Sequence, residues 1–170
     1  MSGLSILLHL CNVMKITIIL VGKTEEAFIE QGLNLYLSRL RHYATMQVIV
    51  IPALKDASNL SPQQVKEREA VLILKQLSPG STLAVLDEKG TELRSVEFSA
   101  QLQKWMNSGT RELVFLVGGA FGIADEVKKH ASFQLSLSRL TFTHQLIRLI
   151  FAEQLYRAFT ILKNEPYHNE

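Results

Sequence analysis

The chain switches between two hydrophobic rhythms, and each switch marks an element. Lys15–Val21 (KITIILV) is a β-branched run with the length of a buried strand. Beyond Gly22-Lys23-Thr24 the apolar positions move to helical spacing, at Phe28, Ile29, Leu33, Tyr36, Leu37 and Leu40. Met46–Ile51 returns to the strand pattern and stops at Pro52. Ser61-Pro62 opens a second helix, with serine as N-cap, proline in the first turn and Gln64 completing a capping box. That helix is predicted to run to about Leu77, before Pro79-Gly80. Thr82–Leu86 is a third strand, followed by a Lys89-Gly90 turn and a short extended piece. A helix is predicted from about Val96 to Asn107, ended by Gly109. Leu113–Val117 is the most hydrophobic strand and runs straight into Gly118-Gly119-Ala120-Phe121-Gly122. A short helix, Ala124–His130, follows. Phe133, Leu135 and Leu137 then alternate with Gln134 and Ser136, the period of a half-buried strand. The polar loop Ser138–Thr143 leads into a last helix, from about His144 to Leu162.

Strands that read as apolar runs, each followed by a helix, predict an α/β domain whose parallel sheet is covered on both faces. The last helix stands apart. Leu146, Ile147, Leu149, Ile150, Phe151, Leu155, Tyr156 and Phe159 occupy most of its circumference, so it is buried on more than one side. It also carries Arg148, Glu153 and Arg157, charges that are rarely buried without partners. A polar loop feeding such a helix is a place to look for chemistry.

Composition narrows the class. With 170 residues, 47% hydrophobic and 20% charged, the chain suffices for one domain with a real core and is not a disordered segment. A net charge of +2 does not announce a nucleic-acid binder, although it permits one with clustered charge. Cys11 is the single cysteine, which excludes an internal disulfide framework and a Cys-rich zinc site and fits a reducing, cytoplasmic setting. In the leading Met1–Val13, the apolar Ser5–Leu10 is too short to span a bilayer and has no basic flank of a signal peptide. This stretch is expected to be an extension ahead of a working start at Met14, leaving 14–170 as one domain, with no membrane association.

Gly22-Lys23-Thr24 mimics the end of a phosphate-binding loop, but the motif needs a second glycine where this chain has Thr17. Gly118-Gly119-x-x-Gly122 lies between a buried strand and a helix, where glycines let a backbone approach a ligand. It is also a common tight turn, and it is not the dinucleotide fingerprint, which belongs after the first strand. The histidines (His9, His42, His130, His144 and His168) have no metal-ligand spacing, so no metal is expected. There is no G-x-S-x-G nucleophile elbow. Arg39-Leu40-Arg41-His42-Tyr43 reads as a solvated helix end that could also touch phosphate.

Together, V-G-K after the first strand, L-V-G-G-A-F-G after the fourth, S-L-S-R-L-T-F-T-H-Q after the fifth, Y-R-A-F in the last helix and the terminal P-Y-H resemble one family. It is the family of ribosomal RNA large-subunit pseudouridine N3-methyltransferases, minimal members of the SPOUT class, and the resemblance runs from Met14 to the C-terminus. It implies a C-terminal trefoil knot, which default rules of chain connection argue against. It also implies S-adenosylmethionine as cofactor, ribosomal RNA on an assembled ribosome as substrate, and a homodimer. The cofactor loops carried over are those starting at Leu86 and at Gly118, and the run Leu137, Ser138, Arg139, Leu140, Thr141 and Phe142. Thr143 stands where the family commonly has proline; threonine can cap the helix instead.

For the reaction the resemblance implies, the N3 proton of the pseudouridine must leave, and the candidates to accept it or to stabilise the anion are His144, Arg157, Tyr167 and His168. Arg157 is assigned to stabilising negative charge on the base, and His168 to proton handling or base positioning. Two other readings remain open: a methyltransferase of this class acting on transfer RNA, and a non-catalytic ribosome-binding module on the same fold.

Overall fold

The β-branched run Lys15–Val21 is strand β1, and neighbours lie on both of its edges. In the computed structural model, which describes residues 14–168, β1 pairs in parallel with β2 (Thr45–Ile51) and with β4 (Glu112–Val117). β4 pairs with β3 (Thr82–Glu92), and β3 with β5 (Phe133–Ser136). The sheet order is therefore β2-β1-β4-β3-β5, with every pairing parallel, as the continuous apolar strands predict. The expectations for Met1–Val13 lie outside the described residues, as do Asn169 and Glu170.

Strand alternation sorts the core into two layers. Ile16, Ile18, Leu20, Leu113 and Phe115 face α1 (Ala27–Leu40), α3 (Ser95–Asn107) and α5 (Leu146–Leu162), which supply Leu33, Leu37, Phe98, Leu102, Trp105, Phe151 and Leu155. Ile19, Val21, Leu83, Val85, Val114 and Leu116 face α2 (Pro62–Leu74) and α4 (Asp125–His130). The first layer is built on aromatic rings. Phe115 lies 4.8 Å from Phe151 and meets Trp105 edge-on at 6.0 Å, contacts each contributing about 1 kcal/mol beyond their buried area.

Three boundaries differ from the sequence reading by more than one residue. α2 ends at Leu74, because Gln76 and Leu77 donate to the carbonyls of Ile73 and Leu74 in tightened turns. β3 does not stop at Leu86: it leaves the ladder over Asp87–Gly90 and rejoins β5 where Thr91 faces Leu135. α5 begins at Leu146, not His144, since Gln145 is turned against another loop. Thr143 does act as a cap, its Oγ1 accepting from the Leu146 N–H at 3.1 Å.

α5 packs between α1 and α3, and Arg148 fixes its start. This arginine is 1% exposed and donates to the carbonyls of Val21 (2.6 Å), Gly22 (3.1 Å) and His144 (3.0 Å) and to Thr24 Oγ1 (2.9 Å). Burial lowers its pKa below the ordinary value, and the charge of Glu25 opposes that shift. Gln145 adds a second tie, donating to the Lys23 carbonyl and accepting from the Glu25 N–H, each at 3.0 Å. Arg148→Met keeps the stem and leaves these carbonyls without their donor. It is expected to lower unfolding stability by roughly 3 kcal/mol with an unchanged urea m-value; a loss below about 1 kcal/mol would show that the clasp contributes little.

Candidate active site

Three loops converge at the carboxyl ends of β3, β4 and β5 and enclose a cleft of about 530 Å³. This is where open α/β sheets take ligands. Its lining contains Leu86, Gly118, Leu137, Ser138, Leu140, Thr141, Phe142 and His144, eight of the residues singled out in the sequence. Arg139 is not among them; its guanidinium is turned outward to Glu92, 3.3 Å away. The loop after β5 is held by its own hydroxyls. Ser138 Oγ accepts from the Leu140 N–H at 2.9 Å, and Ser136 Oγ donates to the Ser138 carbonyl. Leu140 (75% exposed) and Phe121 (52% exposed) form an apolar rim.

The glycine loop is a turn closed by the Gly122 N–H donating to the Gly119 carbonyl at 3.1 Å. Gly122 has φ +83°, a left-handed conformation that favours glycine. At Gly118 the constraint is space: a Cβ would lie 2.7 Å from Ile123 Cγ1. A side chain there would therefore displace the loop itself rather than merely project into the cleft.

Arg157, Tyr167 and His168 form a separate cluster at the far end of α5. The Arg157 guanidinium donates to Glu153 Oε1 at 2.6 Å, stands 4.8 Å from the Tyr167 ring centroid, and has Nη1 3.4 Å from His168 Nδ1. Arginine can only donate, so in that contact His168 Nδ1 is the acceptor. Tyr167 donates to Glu153 Oε1 at 3.1 Å, and its hydroxyl lies 3.3 Å from that of Tyr36. Burial first, then Tyr36 and Glu153, push the Tyr167 phenol well above its ordinary pKa, which makes it a donor and not a base at neutral pH. His144, by contrast, belongs to the cleft. Ile147 of the cleft and Arg157 are separated by about 15 Å along the helix axis.

The chain matches the family described as "Predicted SPOUT methyltransferase" over residues 14–168. The chain belongs to the SPOUT methyltransferases. Similar curated proteins include one from Parabacteroides distasonis, 52% identical over 157 residues that make up 92% of this chain and all of that relative. Relatives from Phocaeicola vulgatus and Porphyromonas gingivalis are each 48% identical over the same shares. All three are named ribosomal RNA large subunit methyltransferase H.

Several residues around the cleft and the tail cluster carried no clear signal in the sequence. Asp87 accepts from the Lys89 N–H at 2.8 Å and pairs with Lys128 of α4, so the β3 excursion is tied to the helix after the glycine loop. Burial raises its pKa, but the hydrogen bonds and charge of Lys128 and Lys89 more than offset this and hold it below the usual range. A polar residue at the carboxyl end of a buried strand could have suggested it. Glu153 could have been paired with Arg157 by its helical spacing, whereas nothing local marks Tyr36. Among the described residues no group of three or more His, Cys, Asp and Glu side chains could hold a metal, and no helix is long and apolar enough to cross a membrane.

Glu69 of α2 lies beneath the glycine loop, 8% exposed, with both carboxyl oxygens 3.3 Å from where a Cβ on Gly119 would sit. Burial raises its pKa. A carboxyl raised in the folded state contributes stability that is complete below its unfolded pKa of about 4.3 and is lost as pH rises through the folded value. Glu69→Gln is therefore expected to melt higher than the unaltered protein at pH 7 and to match it near pH 4. A lower Tm at pH 7 would mean that the ionised carboxylate is stabilised where it lies.

Proposed function

We propose that this protein methylates N3 of a pseudouridine in large-subunit ribosomal RNA, using S-adenosylmethionine and working as a homodimer on assembled ribosomes in the cytoplasm. The observation that carries the reading is the carboxyl-end cleft, in a chain that shares about half its residues with whole proteins named ribosomal RNA large subunit methyltransferase H. The cleft suits such a cofactor. About 530 Å³ lies within the range of small-molecule sites, and the Gly118 loop brings backbone close without a side chain. Leu86, Leu137 and Ile147 offer apolar walls, and the Leu137–Phe142 and Gly118 backbones offer polar groups. Family membership also supports a knotted C-terminal half, with α5 entering between α1 and α3 after the other two cofactor loops are laid down.

When bound, the cofactor supplies a methyl group on a sulfonium, which leaves as a neutral thioether. The chain's own residues have to orient the base and manage its N3 proton. Arg157, held by Glu153, stabilises negative charge as the imide loses that proton. Tyr167 donates a hydrogen bond, and neutral His168, with Nδ1 accepting from Arg157 and its hydrogen therefore on Nε2, positions the base; it receives the N3 proton at Nδ1 only when the Arg157 contact is released. Because the cluster stands at the other end of α5 from the cleft, the reading takes each site to join one protomer's loops to its partner's tail.

Two measurements test this. Mass spectrometry of ribosomal RNA from cells with and without the protein is expected to show one methylated pseudouridine that depends on it; identical spectra would end the reading. For the shared site, Gly118→Val and His168→Ala proteins, each inactive, are mixed and allowed to exchange subunits. A mixed dimer then has one site with both lesions and one with neither, so activity should return towards half per dimer. No recovery, with exchange confirmed, would mean that each chain completes its own site.

A further inference from the structure

The cationic turn that ends α1 lies against the tail that carries Tyr167 and His168. Tyr43 stacks on Phe159 at 5.3 Å and donates to Glu165 at 2.5 Å, so the turn and the start of the tail form one surface. Arg39 holds its guanidinium 5.5 Å from the rings of both Tyr36 and Tyr156, and Tyr156 in turn meets Tyr167 edge-on at 4.9 Å. Arg41 and His42 are exposed and border a hollow of about 400 Å³ with Tyr43 and Thr45. Many other cations are committed to carboxylates: Arg68 to Asp56, Lys128 to Asp87, Arg139 to Glu92 and Arg157 to Glu153. Neither Arg39 nor Arg41 has a carboxylate partner among the described residues. Among the described residues, Glu165 is the carboxylate hydrogen-bonded to the turn, and it accepts from a neutral phenol.

A guanidinium laid on aromatic rings, as that of Arg39 is, and an exposed one beside it, Arg41, suit phosphate oxygens. We propose that Arg39, Arg41 and His42 form the surface on which the phosphate backbone of the RNA docks, next to the tail that meets the target base. Backbone contacts of this kind orient without reading sequence, and a local cluster of cations suffices for them in a chain whose net charge is only +2. The inference rests on the ribosomal-RNA reading and assigns the surface that this reading leaves open. A competing account exists: Arg39 and Arg41 lie in the last turn and at the C-cap of α1, where the helix dipole favours positive charge.

The test compares the unaltered protein with Arg41→Gln, with Arg41→Gln/His42→Gln, and with Lys75→Gln, a matching charge loss on the opposite layer. Association with unmethylated ribosomes is measured over a salt series, together with cofactor affinity by calorimetry, Tm and oligomeric state. The double variant is expected to bind ribosomes about tenfold more weakly, with the salt slope reduced by about 1 for each lost phosphate contact. Cofactor affinity should stay unchanged, and methyl transfer at saturating ribosome should approach the original rate. Lys75→Gln should behave as the unaltered protein. Unchanged ribosome affinity with a lowered Tm would overturn the proposal in favour of the helix dipole, and a dissociated dimer would assign the turn to a second copy of the chain. If the unaltered protein methylates ribosomal RNA while the double variant binds with the same affinity and slope, the inference alone fails. If the unaltered protein transfers no methyl group to ribosomal RNA, both the inference and the reading beneath it fall.

Discussion

A buried guanidinium has to find acceptors, and in this protein that requirement fixes the start of α5. Arg148 is among the largest fully buried side chains, and its main acceptors are carbonyls at the end of β1, far away in sequence. Supplying those carbonyls fixes both the position of α5 along the sheet and its rotation. The loop Leu137–Phe142 is then anchored at one end by the β5 ladder and at the other by Thr143 and the clasp, so it has to cross above the carboxyl ends of the strands. His144 and Ile147 are carried into the cleft by the same constraint. A methionine could fill the volume of Arg148, but it would leave the register unspecified and the β1 carbonyls unsatisfied.

The same helix separates what the proposed chemistry needs together. Its first turns line the carboxyl-end cleft, while Arg157 projects from its last turns beside Glu153, Tyr167 and His168. A rigid helix buried between α1 and α3 cannot bend to bring its two ends into one site. The proposed homodimer meets this with a second chain, for which the half-buried Leu146 and Ile150 offer an apolar flank.

What was legible in the sequence followed rules of short range. The strand runs, the capping box at Ser61, the glycine turn and the threonine cap each depend on neighbouring residues, and each is present. Eight of the residues that line the cleft were also named in the sequence, through motifs at loop positions. What stayed hidden was long-range or directional. Nothing near Arg148 in sequence reveals that its acceptors lie on β1, and nothing near Asp87 names Lys128 as its partner. Arg139 belongs to a loop that lines the cleft, but side-chain direction in a loop is not periodic, and it turned to Glu92. The return of β3 to the ladder was missed because Asp87–Gly90 reads as a turn whichever strand comes next.

The central claim is that the tail of one chain meets the cleft of another. It is tested most directly by cross-linking in a background where Cys11→Ser removes the single cysteine. Leu140→Cys marks the cleft rim and Pro166→Cys marks the tail, both at exposed positions, and the two proteins carry different tags. They are mixed, allowed to exchange subunits, and treated with a short bismaleimide. The account predicts a covalent species containing both tags. If the two proteins never link, while a single chain bearing both cysteines closes on itself, each chain's tail folds over its own cleft and the account is wrong.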